Sequence, residues 1–183
     1  MIKSLAAAAL IVLTQPGFAA SLDLAHSQIG FTLKQMNVPM EGRFKHFSGN
    51  VSLDLKKVAA SKADITINIA SISLPTPDST AETQKKDWFN TAQYPTARFV
   101  TSSIKPLGNN RFQFSGKLTI KGVTRDVSAP FSARQQGALT LVDGVLPISR
   151  LAYKIGEGEW ADTDTVADQV QIKFHIAIPA NSK

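Results

Sequence analysis

Residues 111–133 constrain the fold more than any other stretch, because side chains alternate in character on both sides of a glycine turn. Apolar residues recur at every second position of the first half, namely Phe112, Phe114, Leu118 and Ile120, with Gly116 in phase. A period of two is typical of a β-strand buried on one face, and it excludes a helix face. Lys121-Gly122 then supplies a two-residue turn, because glycine adopts the positive φ of a tight hairpin.

The two-residue turn also fixes the register of the hairpin. Ile120 is predicted to face Val123, and the pairs further from the turn are Leu118 with Arg125, Gly116 with Val127, Phe114 with Ala129, and Phe112 with Phe131. One face of this hairpin is therefore apolar except for Arg125.

Similar alternation elsewhere predicts an all-β chain. The further strands are expected at residues 28–36, 43–55 (one strand or a pair), 63–69, 98–104, 138–148 and 169–178, with turns at 38–42 and 106–110. Residues 79–89 predict a short helical insertion, capped by Asp78 or Ser79. About eight short strands separated by turns favour a sandwich or a barrel, so we expect a single antiparallel eight-stranded barrel.

The first 19 residues have the three parts of a secretory signal peptide. Lys3 forms the charged region, residues 5–13 are apolar but too short to span a bilayer, and small residues precede the expected cleavage after Ala19. We therefore expect a periplasmic protein of a single domain, residues 20–183. The alternative is an N-terminal helix of a cytosolic protein.

Composition and spacing give no support to an enzyme. The chain has no cysteine, which excludes thiol catalysis and cysteine-based metal sites. His26, His46 and His175 lack metal-ligand spacing, and no metal site is expected. Residues 157–168 include Asp162, Asp164 and Asp168, and spaced acids in a loop are typical calcium ligands. Their spacing does not match the EF-hand pattern. Glu157 and Glu159 flank Gly158 and suggest an acid/base pair, but two exposed loop acids are usually just solvated. No serine lies in a nucleophile elbow.

Five segments give the chain a resemblance to a known family. They are D-L-A-H-S-Q-I-G-F-T, G-R-F-K-H-F-S-G, D-W-F-N-T-A-Q-Y-P-T-A-R-F, L-T-I-K-G-V-T-R-D-V and G-E-G-E-W-A-D-T, in that order along the chain. In these the chain resembles the YceI-like family of lipocalin-like, mostly periplasmic proteins that bind polyisoprenoid lipids. It departs from the family at Lys121, where His is frequent, and at Gln84-Lys85, where a His-Leu pair is frequent.

The resemblance implies that the barrel encloses a lipid rather than only its own side chains. The expected ligand is a long isoprenoid, either a prenyl quinone or a prenyl phosphate, held without a covalent cofactor. The residues expected to bind it are Phe31, Arg43, Phe44, Ile67, Trp88, Phe89, Phe99, Phe114, Gly116, Leu118, Arg125, Trp160 and Phe174.

Four of these positions carry three separate hypotheses. Trp88 and Phe89 either form a flap over the barrel mouth or anchor the helical insertion on the outside of the barrel. Arg125 cannot be buried unpaired without a large cost. It is therefore expected to extend to the barrel end, to pair with Asp162 or Asp164, or to contact a ligand head group. Gly116 is expected to leave room for the first isoprene unit.

Two other functions remain compatible with the sequence. One is a barrel that binds a different amphiphile, such as a fatty acid or its amide. The other is a stress or interaction protein whose barrel is filled by its own side chains. Loss of Lys3 with the signal peptide would lower the net charge from +6 to +5, and a mildly basic surface suits transient contact with a membrane surface. A membrane redox protein is a further possible partner. A homodimer is also compatible with the sequence, whereas nucleic acid is not an expected partner, because basic residues do not cluster.

Overall fold

The chain folds around one curled antiparallel sheet of eleven strands, in a computed structural model that describes residues 20–180. The strands are β1 (Ala20–Ser21), β2 (Gln28–Gln35), β3 (Val38–Phe44), β4 (Phe47–Ser52), β5 (Lys62–Asn68), β6 (Ile72–Ser73), β7 (Thr96–Gly108), β8 (Arg111–Ile120), β9 (Val123–Gln136), β10 (Leu139–Ser149) and β11 (Gln169–Pro179). The predicted signal peptide lies outside the described residues.

Strands β3 and β4 follow each other in the chain but lie near opposite ends of the strand order. Their connection brings the two ends of the sheet together, so that the sheet curls into a barrel. The strand order is β1-β4-β5-β7-β8-β9-β10-β11-β2-β3-β6. β3 pairs with β2, which places Phe44 opposite Ile29, whereas β4 pairs with β5. Near the junction, the Lys45 amide donates to the Ser71 carbonyl at 3.1 Å, which ties β3 to the chain that follows β5. The fold is therefore an all-β barrel, as predicted.

The β8–β9 hairpin has the predicted register. Ile120 faces Val123, Leu118 faces Arg125, and each pair further from the turn agrees through Phe112 with Phe131. Lys121 and Gly122 have φ values of 48° and 74°, the left-handed region that a two-residue hairpin turn uses. The five alternate apolar residues of β11 also lie on the inner face: Val170, Ile172, Phe174, Ile176 and Ile178.

The sheet has eleven strands where eight were predicted, and features of single strands and turns explain the difference. Residues 38–42, predicted as a turn, belong to β3, and the turn lies at Met36–Asn37. Pro39 is tolerated there because β3 is the last strand but one in the sheet, and its outer neighbour β6 has only two residues. The amide donor that proline lacks is therefore less often needed for strand pairing. The two-residue strands β1 and β6 are too short to show alternation.

The predicted helical insertion exists but is shorter and begins earlier. Helix α1 spans Pro77–Thr83, with proline in its first turn, and the Thr76 hydroxyl accepts from the Ser79 amide at 3.2 Å. The capping residue is therefore Thr76 rather than Asp78 or Ser79. The chain continues through turns to Trp88 and Phe89. Among residues 20–180, no helix has the length and apolar character needed to cross a membrane.

Candidate functional site

The interior of the barrel contains an apolar cavity of 390 Å³, within the range of about 300–1,000 Å³ typical of small-molecule sites. Strands β2, β3, β5 and β11 contribute aliphatic and aromatic side chains to its wall, and helix α1 and residues 148–170 contribute further lining residues. Its few polar lining residues include Gln35 of the β2–β3 hairpin and Asp78, Ser79 and Glu82 of α1. The cavity therefore suits an apolar chain.

A second apolar cavity of 140 Å³ adjoins the first. Ile29, Ile67, Leu118 and Ile172 line both, so these four side chains form the junction between them. The smaller cavity continues past Phe99, Phe114 and Phe174. Side chains on several strands therefore enclose an interior that is apolar along both cavities.

Most residues predicted to bind a ligand line these cavities. Phe31, Phe44, Ile67, Trp88, Phe89, Leu118 and Trp160 line the larger one. Phe99, Phe114 and Phe174 line the smaller one, together with Ile67 and Leu118. Period-two alternation brings the strand residues of this set together, because every second side chain of a barrel strand points inward.

Arg43 lies elsewhere, in a solvent-facing groove of 740 Å³ outside the barrel. His26, His46 and His175 line the same groove, although they are far apart in sequence. His26 hydrogen-bonds to Asp23 at 2.9 Å, and His175 hydrogen-bonds to Asp143. Phe44 lines both the groove and the larger cavity, so its ring separates the interior from the surface at this point.

Gly116 and Arg125 lie outside the lining of both cavities. A Cβ at Gly116 would lie 2.6 Å from Cε2 of the Phe99 ring, so that ring occupies the space predicted for an isoprene unit. Arg125 is exposed, its Nε donates to the Ala152 carbonyl at 2.7 Å, and its guanidinium lies 6.0 Å from the centre of the Tyr153 ring. Of the three arrangements considered for Arg125, this is the one in which the side chain extends out to the barrel end.

Trp88 and Phe89 both form part of the cavity wall. Trp88 is 8% exposed and packs against Trp160, with ring centroids 5.5 Å apart. Phe89 meets Phe44 edge to face at 6.4 Å. The two aromatics therefore face the interior of the barrel, and both the flap hypothesis and the anchor hypothesis stay predictions.

Arg150 is a buried residue of this region that the sequence did not reveal. It is 2% exposed and lines the larger cavity. Its guanidinium donates to five backbone carbonyls at 2.7–3.2 Å, those of Ile155, Gly156, Trp160, Val166 and Ala167. Burial lowers the pKa of Arg150, and the charge of Asp168 acts in the opposite direction. One side chain thus holds residues 155–167 over the end of the cavity.

Lys121 links the β8–β9 hairpin to Lys154 and Glu157 in the segment after β10. Its side chain is buried, and Nζ donates to the Lys154 carbonyl at 2.6 Å and to Glu157 at 3.0 Å. Its only sequence signal was its departure from the histidine that is frequent at this turn position.

Asp162, one of the acids of this segment, accepts hydrogen bonds from its own loop. The Asp162 carboxylate accepts from the Asp164 amide at 3.0 Å and from the Thr165 hydroxyl at 2.8 Å, and these hydrogen bonds lower the pKa of Asp162. Within the described part of the chain, no group of three or more potential ligand side chains is arranged to hold a metal ion.

Comparison with known proteins identifies the family. The model of the YceI-like domain matches residues 21–178, nearly the whole described chain. The chain belongs to the YceI-like family. Among curated relatives, a UPF0312 protein of Photorhabdus laumondii is 32% identical over 128 residues, which cover 67% of this chain and 66% of the relative. Protein YceI of Escherichia coli is 32% identical over 113 residues, which cover 61% of this chain and 59% of that protein. The matches thus span a little under two thirds of each relative's length.

Solved structures agree on the fold. The chain superimposes on BcnA of Burkholderia cenocepacia with a TM-score of 0.83 and 48% identity, covering 85% of this chain and 98% of that one. A domain of Saccharophagus degradans, described as a polyisoprenoid-binding domain, superimposes with a TM-score of 0.72 and 19% identity. That match covers 89% of this chain and 99% of the domain. These likenesses establish the lipocalin-like YceI fold.

Proposed function

We propose that this protein is a periplasmic carrier or reservoir for a long isoprenoid lipid, whose tail lies in the two adjoining cavities. The observation that carries the proposal is the apolar interior of 390 and 140 Å³ with a common junction of four aliphatic side chains. The description of the Saccharophagus domain as polyisoprenoid-binding supports it. Such an interior and the family relationship favour a binding protein over an enzyme.

The interior gives a physical reason for binding a long tail. Burial of apolar groups contributes about 0.8 kcal/mol per CH₂, so one isoprene unit contributes roughly 3 kcal/mol before costs. Ordering of the tail and loss of rigid-body freedom offset part of this gain. Affinity should therefore rise with each unit that enters the cavities and stop rising once they are full.

Titration with prenyl homologues of increasing tail length tests this proposal. We expect Kd, measured by calorimetry, to fall with tail length and then to reach a plateau. A Kd that does not change from the shortest tail onward would contradict tail burial and favour the barrel filled by its own side chains. Fatty acids and fatty amides of matched carbon number serve as the comparison series, and tighter binding of those would favour the second amphiphile class.

Exposed apolar residues beside the cavity support transient contact with a membrane surface. Met36 and Val38 form the tip of the β2–β3 hairpin and are 72% and 65% exposed. Gln35 and Met40, which flank this tip, line the larger cavity. Replacement of Met36 and Val38 by serine should slow lipid transfer to vesicles and leave Kd in solution unchanged. Equal transfer rates would exclude this tip as the contact.

A further inference from the structure

Every histidine of the chain lines one groove on the outer surface of the barrel. The three histidines, His26, His46 and His175, contribute to the groove of 740 Å³ together with Arg43 and Lys45. No acidic residue of the described chain belongs to this lining. A concave surface lined by one sign of charge attracts and concentrates ligands of the opposite charge. The groove therefore favours an anionic ligand.

The position of Phe44 explains how the basic side chains come to lie on this surface. Arg43 precedes Phe44 and Lys45 follows it at the end of β3, and the Phe44 ring lines the larger cavity. Adjacent side chains of a strand point to opposite faces of the sheet, so Arg43 points outward. Arg43 and Lys45 are exposed, and neither forms a salt bridge within residues 20–180. Both charges are therefore available to a ligand.

Carboxylates orient two of the three imidazole rings. His26 Nδ1 lies 2.9 Å from a carboxylate oxygen of Asp23, and His175 Nδ1 hydrogen-bonds to Asp143. The hydrogen bond with His26 lowers the pKa of Asp23, so this carboxylate is ionised at neutral pH. An ionised carboxylate only accepts hydrogen bonds, so Nδ1 carries a proton in both rings. The His26 and His175 side chains are 66% and 38% exposed, and Nε2 is the nitrogen that remains for a ligand.

Protonation changes what each of these rings offers to an anion. In the neutral ring Nε2 is an acceptor and opposes the oxygen of an anion, whereas in the imidazolium both nitrogens donate. Histidine is the side chain that gains this charge as the pH falls from 8 to 5. The groove therefore has two fixed cations at pH 8 and up to three more at pH 5.

His46 differs from the other two histidines because no carboxylate of the described chain binds its ring. Its backbone amide donates to Ser71 Oγ, and its carbonyl accepts from the Asn68 amide, each at 3.0 Å. These neighbours carry no charge. Protonation of His46 therefore adds a positive charge to the groove.

Acids on the strands around the groove are paired with cations. Asp143 of β10 binds His175 and, at 2.8 Å, Arg134 of β9. Burial raises the pKa of Asp143, but these two hydrogen bonds lower it below its usual value. Lys173, two residues before His175 on β11, binds Glu41 of β3 at 3.0 Å. These acids therefore do not cancel the two fixed charges of the lining.

Grouped histidines also bind metal ions, and rings held by carboxylates are typical of metal sites. Among residues 20–180, however, no three His, Asp or Glu side chains are placed to hold a metal ion. The arrangement therefore favours an anion over a metal.

We propose that the groove binds a phosphate ester, and that protonation of the three histidines strengthens this binding as the pH falls. Arg43 suits the role because its planar guanidinium binds two phosphate oxygens at once. Leu24, which is 53% exposed, and the half-buried Phe47 lie in the same lining and suit the organic part of the ester. The phosphate belongs either to a small molecule in solution or to a phospholipid head group. The groove lies outside the barrel, so binding there does not require a lipid in the cavities.

Titration with glycerophosphoglycerol at pH 5.5 and pH 8 tests the site, because this diester keeps one negative charge at both pH values. NMR gives Kd from backbone amide resonances of the groove, and the imidazole resonances add a direct readout, since the chain has no other histidine. We expect Kd to be about tenfold lower at pH 5.5, where all three imidazole resonances should shift. A Kd that is the same at both pH values, or imidazole resonances that stay in place, would overturn the proposal.

A charge-matched pair of variants locates the site. Arg43→Gln with Lys45→Gln should weaken binding by about tenfold or more at both pH values. The control is Lys105→Gln with Arg111→Gln, which removes the same charge from exposed positions outside the groove. Equal weakening in the two variants would overturn the assignment of the ligand to this groove.

Replacement of the three histidines by glutamine tests their role. In the variant His26→Gln, His46→Gln and His175→Gln, the tenfold ratio between Kd at pH 8 and at pH 5.5 should fall to about one. Backbone amide resonances outside the groove show whether this variant keeps the fold. A ratio that persists in the folded variant would overturn the role of the histidines.

Vesicles distinguish the two sources of the phosphate. Cosedimentation at pH 5.5 compares vesicles of anionic phosphatidylglycerol with vesicles of zwitterionic phosphatidylcholine. Binding to phosphatidylglycerol that is lost in Arg43→Gln with Lys45→Gln assigns the phosphate to a lipid head group. Binding of the soluble diester without vesicle binding assigns it to a small molecule. Absence of binding to both the diester and the vesicles would overturn the proposal.

Discussion

At the scale of single residues, Asp143 shows how a surface network links stability to pH. Its carboxylate hydrogen-bonds to His175 and, at 2.8 Å, to Arg134. Burial alone would raise the pKa of Asp143, but these two hydrogen bonds more than offset it, so the pKa lies below its usual value. The folded state therefore favours the ionised carboxylate. Its stabilising contribution is present above about pH 4, the pKa of an unfolded aspartate, and is lost as pH falls through the lower folded pKa.

Asp143→Asn should consequently lower the free energy of unfolding at pH 7 by about 1 kcal/mol. The difference from the wild-type protein should shrink as the pH falls toward 3. Urea unfolding at both pH values measures this, and Asp126→Asn is the control, since Asp126 is 84% exposed beside Lys117. A difference that persists unchanged at pH 3 would show that the charge of Asp143 is not responsible.

The inward direction of apolar strand residues was predictable from the sequence, whereas the burial of Arg150 was not. Phe114, Leu118 and Phe174 were predictable because strand geometry directs alternate side chains inward. Arg150 gave no signal, because its partners are backbone carbonyls whose positions depend on the folded path of residues 155–167. Gly116 was predicted on the correct face, but its close contact with Phe99 requires knowledge of the neighbouring strand.

At the scale of elements, turn chemistry explains which strand boundaries were predictable. The Lys121-Gly122 turn contains the expected glycine. The Met36–Asn37 turn places both residues at positive φ, 50° and 63°, although neither is glycine. Asparagine tolerates this region but methionine rarely adopts it. The turn was therefore missed, and part of β3 was assigned to a turn in its place.

The segment that follows β10 depends on Arg150, and this gives a prediction for the element as a whole. Lysine offers three donors without the planar fork, so Arg150→Lys leaves some of the five carbonyls without a partner. We expect a loss of about 3 kcal/mol in the free energy of unfolding, because buried polar groups left unpaired are costly.

Hydrogen exchange distinguishes local from global loss in this variant. The amides of Gly156 and Glu157, which both donate to the Asp87 carbonyl at 2.8 Å, should exchange faster than in the wild-type protein. Amides of the β8–β9 ladder should change less. Arg125→Lys is the control, since Arg125 is exposed and makes one backbone hydrogen bond. Uniform acceleration across both regions would argue against a local role for Arg150.

At the scale of the whole molecule, the barrel has one interior with two compartments. Alternation along the strands predicted an apolar interior, but it did not reveal its division. The junction depends on which inward side chains from β2, β5, β8 and β11 meet at one level of the barrel, and that level is set by strand stagger. Pairwise register within one hairpin does not fix this stagger around the whole barrel.

The junction leads to a prediction about ligand length. Ile67 lies on β5 and lines both cavities, so Ile67→Phe should narrow the passage between them. Short prenyl tails that fit the larger cavity should bind as in the wild-type protein. Longer tails should lose the roughly 3 kcal/mol gross contribution of each isoprene unit that no longer enters the smaller cavity. The plateau in a tail-length titration should therefore appear at a shorter tail. Ile65→Phe is the control, because Ile65 lines the smaller cavity only and its replacement leaves the junction open. A plateau at the same length in Ile67→Phe and in the wild-type protein would show that the tail does not pass between these side chains.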